Sequence, residues 1–392
     1  MNRRRFLKTS ALSLGAATLQ NAFPGASVAW AAPSGTAYRK LLVLVELKGG
    51  NDGLNTLVPY ADAAYYALRP QLAIGRDQVL QLTDRAGLHP SLESLLPLWR
   101  DREMAVLQGV GYDNPNLSHF RSIEIWDTAS NSETYLQDGW LTRAFGAAPT
   151  PRTFAADGVI IGTNDMGPLA GSGTRAIALN NTEQFLRQAK LARNEGRARN
   201  AALEHILKVE GDVLQAAAHL EAQRAFTTAF PQQAFGNAVR TAAQVIANPA
   251  GVAVVRVTLN GFDTHSGQPA TQARLLRELA EGIVALRGAL VELDRWNDTL
   301  VLTYAEFGRR PRENLSQGTD HGTANVHFAF GGSVAGGMYG EAPALDRLDG
   351  NGNVAHAIDF RNVYATVLES WWSVPSKAAL GGGFKPLPLL RA

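Results

Sequence analysis

Apolar positions along the chain fall into two rhythms. Leu41 to Leu47 is apolar at every position except Glu46, as in a strand buried on both faces. Comparable runs lie at 104–108, 252–259 and 299–304. Elsewhere the helical period takes over. Leu92, Leu95, Leu96 and Trp99 share one face behind Ser91 as a predicted N-cap. Across 271–296, the positions Leu275, Leu276, Leu279, Ile283, Leu286 and Leu290 form a core-facing stripe. The segment 359–372 reads as an amphipathic helix opened by Asp359, with Tyr364, Val367, Leu368 and Trp371 covering the sheet. Residues 158–180, glycine-rich around Val159-Ile160-Ile161, resemble edge strands near a crevice mouth. Residues 182–247, rich in Ala, Gln, Arg and Leu, predict a block of surface helices in which His205 and His219 are ordinary surface residues.

The residues just past each strand carry the candidate chemistry, because ligands of open α/β sheets bind outside the carboxyl ends of the strands. The first strand runs into Lys48-Gly49-Gly50-Asn51-Asp52, so Asp52 is either a turn or cap residue or a site carboxylate. After the second, Ser118 sits at the start of the helix FRSIEIWDTA. A serine there caps free N–H groups, or uses the same groups and the positive helix end as a nucleophile. His119 and Arg121 beside it offer a proton shuttle and an anion clamp. The third strand ends in Asn260-Gly261-Phe262-Asp263-Thr264-His265, where Asp263 and His265 suit Zn²⁺ or Mn²⁺. The fourth leads to Glu306, with Arg309 as a clamp for an anion or a partner for Glu306. His321, between Asp320 and Gly322, has the setting of a ligand approached closely by backbone. His89 and His327 read as packing residues.

The first 32 residues have the features of an address. Arg3-Arg4-Arg5-Phe6-Leu7-Lys8 is a twin-arginine pattern, Ala11 to Leu19 is an apolar stretch too short to span a bilayer, and Ala29-Trp30-Ala31 fits a cleavage site. The expected destination is the periplasm or the exterior, with the twin-arginine translocase as partner and no membrane span after cleavage. The 392 residues contain no cysteine, which excludes disulfides, thiolate ligands and a cysteine nucleophile. A formal net charge of +2 that falls once the Arg-rich leader is removed gives no nucleic-acid surface.

In chain order, the twin-arginine start, GGNDGLN, SHF, GFDTH, EFGR, DHGTAN and DFR resemble the exported bacterial family catalogued as domain-of-unknown-function 1501, which is related to the alkaline phosphatase and sulfatase superfamily. The resemblance implies a three-layer α/β/α sandwich over residues 38–390 with a mostly parallel sheet, a helical insertion at about 182–247, and a metal-dependent hydrolase site at the strand ends. By position it makes Asp52, Asp263, His265, Glu306 and His321 metal ligands and Ser118 the nucleophile. In a catalytic site Arg121 or Arg309 would hold the anion and His119 would serve as a proton shuttle. The implied cofactor is one or two divalent ions, zinc, manganese or calcium, and the implied substrate is a small anionic phosphate or sulfate ester. Glu306-Phe307 stands where that superfamily usually has Asp-His, so a non-catalytic periplasmic binding or assembly protein that keeps the fold is the alternative.

Overall fold

The computed structural model describes residues 38–179 and 224–391. The export pattern at 1–32 and residues 182–223 of the predicted helical block lie outside the described residues. Within them, strands form at β1 Leu41–Lys48, β2 Leu57–Val58, β3 Leu80–Gln81, β4 Gly87–Leu88, β5 Met104–Gly111, β6 Ala156–Ile161 and β7 Ala176–Leu179. The remainder are β8 Val252–Asn260, β9 Thr299–Tyr304, β10 Arg309–Glu313, β11 Thr319–His321, β12 Asn325–Phe330, β13 Gly337–Tyr339 and β14 Ile358–Asp359.

The apolar runs assemble into a nine-stranded sheet in the order β13-β5-β12-β9-β1-β8-β6-β7, with β14 also on β5. β1 lies at its centre, parallel to both β8 and β9. The exception to parallel pairing is β12, antiparallel to β5 and to β9. Alternation along β1 sends Leu41, Val43, Val45 and Leu47 to one core and Leu42 and Leu44 to the other. Helices cover both faces. Gln268–Glu292 and Ala234–Ile246 bury their apolar stripes in the first core, while His119–Thr128, Trp140–Ala147 and Phe360–Ala365 bury theirs in the second. The result is the three-layer α/β/α sandwich with a mixed, mostly parallel sheet. Among the described residues no helix is long and apolar enough to cross a membrane.

Glu46, the polar exception in β1, is explained by its neighbours. It is buried, and its carboxylate accepts from Arg256 Nη2 at 2.8 Å and from the Thr258 hydroxyl at 2.8 Å, both on the adjacent β8. An unpaired charge at that depth costs several kcal/mol, so the pair is obligatory.

Three local expectations change. The segment after His89 begins as a 3-10 turn, Pro90–Leu95, before the helix Leu96–Arg100, and His89 Nδ1 rather than Ser91 caps it by accepting from Ser91 N at 3.0 Å. The 159–161 run is an interior strand between β8 and β7, and β7 alone of that region forms the sheet edge. The helix opened by Asp359 widens into a π-helix at Thr366–Trp371.

Candidate metal centre

The carboxyl ends of β1, β8 and β9 lie side by side, and the loops leaving them are tied by backbone. Gly49 has a φ of +114°, and a Cβ there would lie 2.4 Å from Asp263 N. Only glycine lets the β1 and β8 loops approach this closely. The same residue's N–H donates to Glu306 Oε1 at 2.9 Å, joining the β9 loop to the other two.

Above this junction, one atom each of His119, Asp263 and His321 lie within 4.8 Å of one another. Asp263 Oδ1 is 3.4 Å from His119 Nε2 and 3.4 Å from His321 Nε2. His265 joins them from the flank, its Nε2 3.1 Å from Asp263 Oδ1 and 2.9 Å from His321 Nε2. For a tetrahedral ion with bonds of about 2.0–2.1 Å, ligand atoms stand about 3.3 Å apart. The observed separations bracket that value.

The outer nitrogens decide what the inner ones do. His119 Nδ1 faces Glu306 Oε1 at 2.8 Å, His321 Nδ1 faces the Leu117 carbonyl at 2.7 Å, and His265 Nδ1 faces Asp320 Oδ1 at 3.3 Å. Each acceptor draws a proton to Nδ1, which leaves the Nε2 lone pair turned toward Asp263. His119 Nε2 is buried without a hydrogen-bond partner, as is Glu306 Oε2. Converging lone pairs and an orphaned imidazole nitrogen fit a divalent cation at their centre, so the residues present suit a metal.

Electrostatics act on the members of the cluster in opposite directions. The hydrogen bond from His119 to Glu306 raises the imidazole's pKa. Burial lowers that of His321, against the opposing hydrogen bond to the Leu117 carbonyl and with the charge of Arg309 adding to the fall. For Asp263, burial pushes upward, but the hydrogen bond and charge of Arg309 prevail and hold the carboxyl below its usual range. Asp320 is lowered as well, first by the hydrogen bond from Asn314.

Asp52 stands apart from this cluster. It is the N-cap of the short helix Gly53–Thr56 and accepts from Leu54 N at 3.2 Å, while Arg69 and Gln268 occupy the rest of its carboxylate. Glu306 touches the cluster through His119 rather than as one of the converging atoms. Ser118 is exposed at the start of the helix His119–Thr128 and makes no cap hydrogen bond, which sets aside the capping reading. Neither arginine is free to clamp an anion. Arg121 Nη2 donates to the carbonyls of Asn131 and Thr134, and its guanidinium stacks 3.7 Å from the Tyr135 ring. Arg309 is buried with its N–H groups on the carbonyls of Gly49, Gly50, Phe262 and Thr319 and on Asp263. The sequence signal marked His119 without its ligand geometry, and nothing local distinguished Arg69, Gln268 or Asp320.

No curated protein matches the chain. Among solved structures, the chain is similar to the C-terminal periplasmic domain of EcEptC from Escherichia coli in complex with Zn, at 9% identity over 74% of this chain and 72% of that one, TM-score 0.38. It is also similar to the phosphonate monoester hydrolase of Agrobacterium radiobacter, at 10% identity over 74% and 68%, TM-score 0.35. A third is the PsFucS1 sulfatase from Pseudoalteromonas sp., at 9% identity over 89% and 70%, TM-score 0.37. The family model described as "Protein of unknown function (DUF1501)" matches residues 104–381, and the chain belongs to that family.

Proposed function

We propose that this protein is an exported, metal-dependent hydrolase of a phosphate or sulfate ester, working in the periplasm or outside the cell after twin-arginine transport. The observation that carries the reading is the convergence of imidazole Nε2 atoms on Asp263 Oδ1, each imidazole oriented by an oxygen at Nδ1. His119, His321, His265 and Asp263 would hold the ion. A donor set dominated by imidazole suits zinc or manganese, whereas calcium takes about six to eight oxygens. When bound, such an ion supplies Lewis-acid polarisation of the ester oxygen and lowers the pKa of a coordinated hydroxyl.

The chain's own residues do the rest. Ser118, exposed beside His119 at a helix start and without a cap hydrogen bond, leaves its hydroxyl uncommitted at the positive helix end, which would favour an alkoxide. Asp320 holds His265 through Nδ1 and is itself held by Asn314 Nδ2 at 3.2 Å. Phe307 packs its ring 4.8 Å from His119 and 4.4 Å from His321, walling one side of the cluster against water.

The committed guanidinium groups of Arg121 and Arg309 favour a second reading, a binding or assembly protein that keeps the ion for structure. Elemental analysis of the mature protein, beside an Asp263→Ala/His321→Ala variant checked by circular dichroism, tests the centre. A folded wild type that takes up neither zinc nor manganese refutes it. Turnover of phosphate or sulfate esters that Ser118→Ala abolishes separates the enzyme from the binding protein.

A further inference from the structure

The carboxylate at the end of β1 is the residue most fully committed elsewhere. Asp52 is 1% exposed. Its Oδ1 accepts from Leu54 N at 3.2 Å and from Arg69 Nη2 at 3.0 Å, and its Oδ2 accepts from Arg69 Nη1 at 2.5 Å and from Gln268 Nε2 at 2.5 Å. An ionised carboxylate offers about four lone-pair directions, and all are used. The arginine is as fully engaged. Arg69 is entirely buried, with Nε on the Pro311 carbonyl at 2.8 Å, Nη1 also on Asn55 Oδ1 at 2.9 Å, and Nη2 also on the Arg310 carbonyl at 3.0 Å. Every N–H of the guanidinium has an acceptor.

Arg309 repeats the arrangement at the neighbouring strand ends. Its Nε donates to the Gly50 carbonyl at 2.8 Å, Nη1 to the Thr319 carbonyl at 2.9 Å, and Nη2 to Asp263 Oδ1 at 2.7 Å and to the Gly49 and Phe262 carbonyls. A cage of oxygens at this edge is thus filled by a fixed guanidinium.

Resting on the metal-centre reading above, we propose that the site takes a single divalent ion, and that Arg69 and Arg309 are resident cations that neutralise Asp52 and help to neutralise Asp263 in place of a further ion. A second ion at Asp52 would have to break a charge-assisted pair whose two members are both buried away from solvent. The two ends of the edge are therefore divided. The β8 and β11 side, with His119, binds metal, and the β1 side is closed by protein charge.

The test is a zinc titration of the full mature chain by calorimetry, with bound metal counted by elemental analysis after dialysis. One ion per chain is expected. Asp52→Asn should keep that ion with unchanged affinity, and His321→Ala should lose it. Two ions per chain in the wild type overturn the proposal and leave the metal centre standing. So does loss of an ion in an Asp52→Asn protein whose circular dichroism is native. Zero ions overturn both. The wild-type count needs no variant to fold, and Asp52→Asn/Arg69→Gln, which removes both charges, serves if the single variant does not fold.

Discussion

Replacing Glu306 by Gln isolates the orientation of His119 from its identity. Glu306 is almost wholly buried, and its Oε1 serves the Gly49 N–H at 2.9 Å and His119 Nδ1 at 2.8 Å. A glutamine oxygen can keep the Gly49 contact, so the loop junction survives. What disappears is the negative charge that fixes the Nδ1 proton and makes Nε2 a better donor. Partners of this kind are worth about 10–100-fold in metal affinity, or about 1.4–2.8 kcal/mol. A second effect runs the other way. Glu306 raises the pKa of His119, so in the wild type a proton competes for the imidazole to a higher pH than it would in the variant. Zinc titrations across pH 5.5 to 8 should therefore show weaker binding in Glu306→Gln above pH 7 and a narrowing gap toward acid. Affinity within about twofold of wild type throughout, in a folded variant, would refute the assignment of Glu306 as the residue that positions His119.

His327 on β12 is fully buried, neither ring nitrogen has a hydrogen-bond partner, and burial pushes its pKa down to about 3. The unfolded chain takes up a proton near pH 6.5 that the folded chain refuses until about pH 3. Its contribution is complete above pH 6.5 and is lost as pH falls through that window, by about 2 kcal/mol at pH 5. Urea melts at pH 7 and pH 5 should show that loss shrinking in His327→Leu, and an identical slope in both proteins would count against it. Ser118→Ala should leave stability within about 0.5 kcal/mol in the same melts, because no cap bond is lost, and a drop above about 1 kcal/mol would restore the capping role.

How much was legible depended on how local the cause was. β1, β8 and β9 declare themselves because burial on both faces leaves runs with almost no polar residue, and the Gln268–Glu292 helix because its stripe repeats many times. That Asp263 and His265 lie at the edge past β8 could be read from the strand end alone, whereas His321 reaches the same edge only because β12 runs antiparallel. The fate of Asp52 could not, since its partner Arg69 is 17 residues away and Gln268 is 216. One carboxylate after a strand looks the same whether it faces an ion or a guanidinium. Arg309 misleads for a similar reason: a charged residue in a loop suggests solvent, and only the assembled carbonyls of three loops make its burial tolerable. The direction of β12 was equally hidden, because Asn325 to Phe330 packs as well either way up.

That reversed strand has a consequence for how the site is delivered. A parallel successor to β9 would need the chain to travel back to the far edge before re-entering the sheet. Because β12 runs antiparallel to β9, the chain leaves at Tyr304 and returns at Asn325 on the same edge. Glu306, Arg309, Asp320 and His321 thus ride on one local excursion, the β10–β11 hairpin and its flanks. Such an excursion can lengthen or change its tip without moving a sheet strand or a covering helix. The two halves of the centre are therefore under different constraints: Asp263 follows directly from a sheet strand, whereas His321 rides on a hairpin whose tip lies outside the sheet's register.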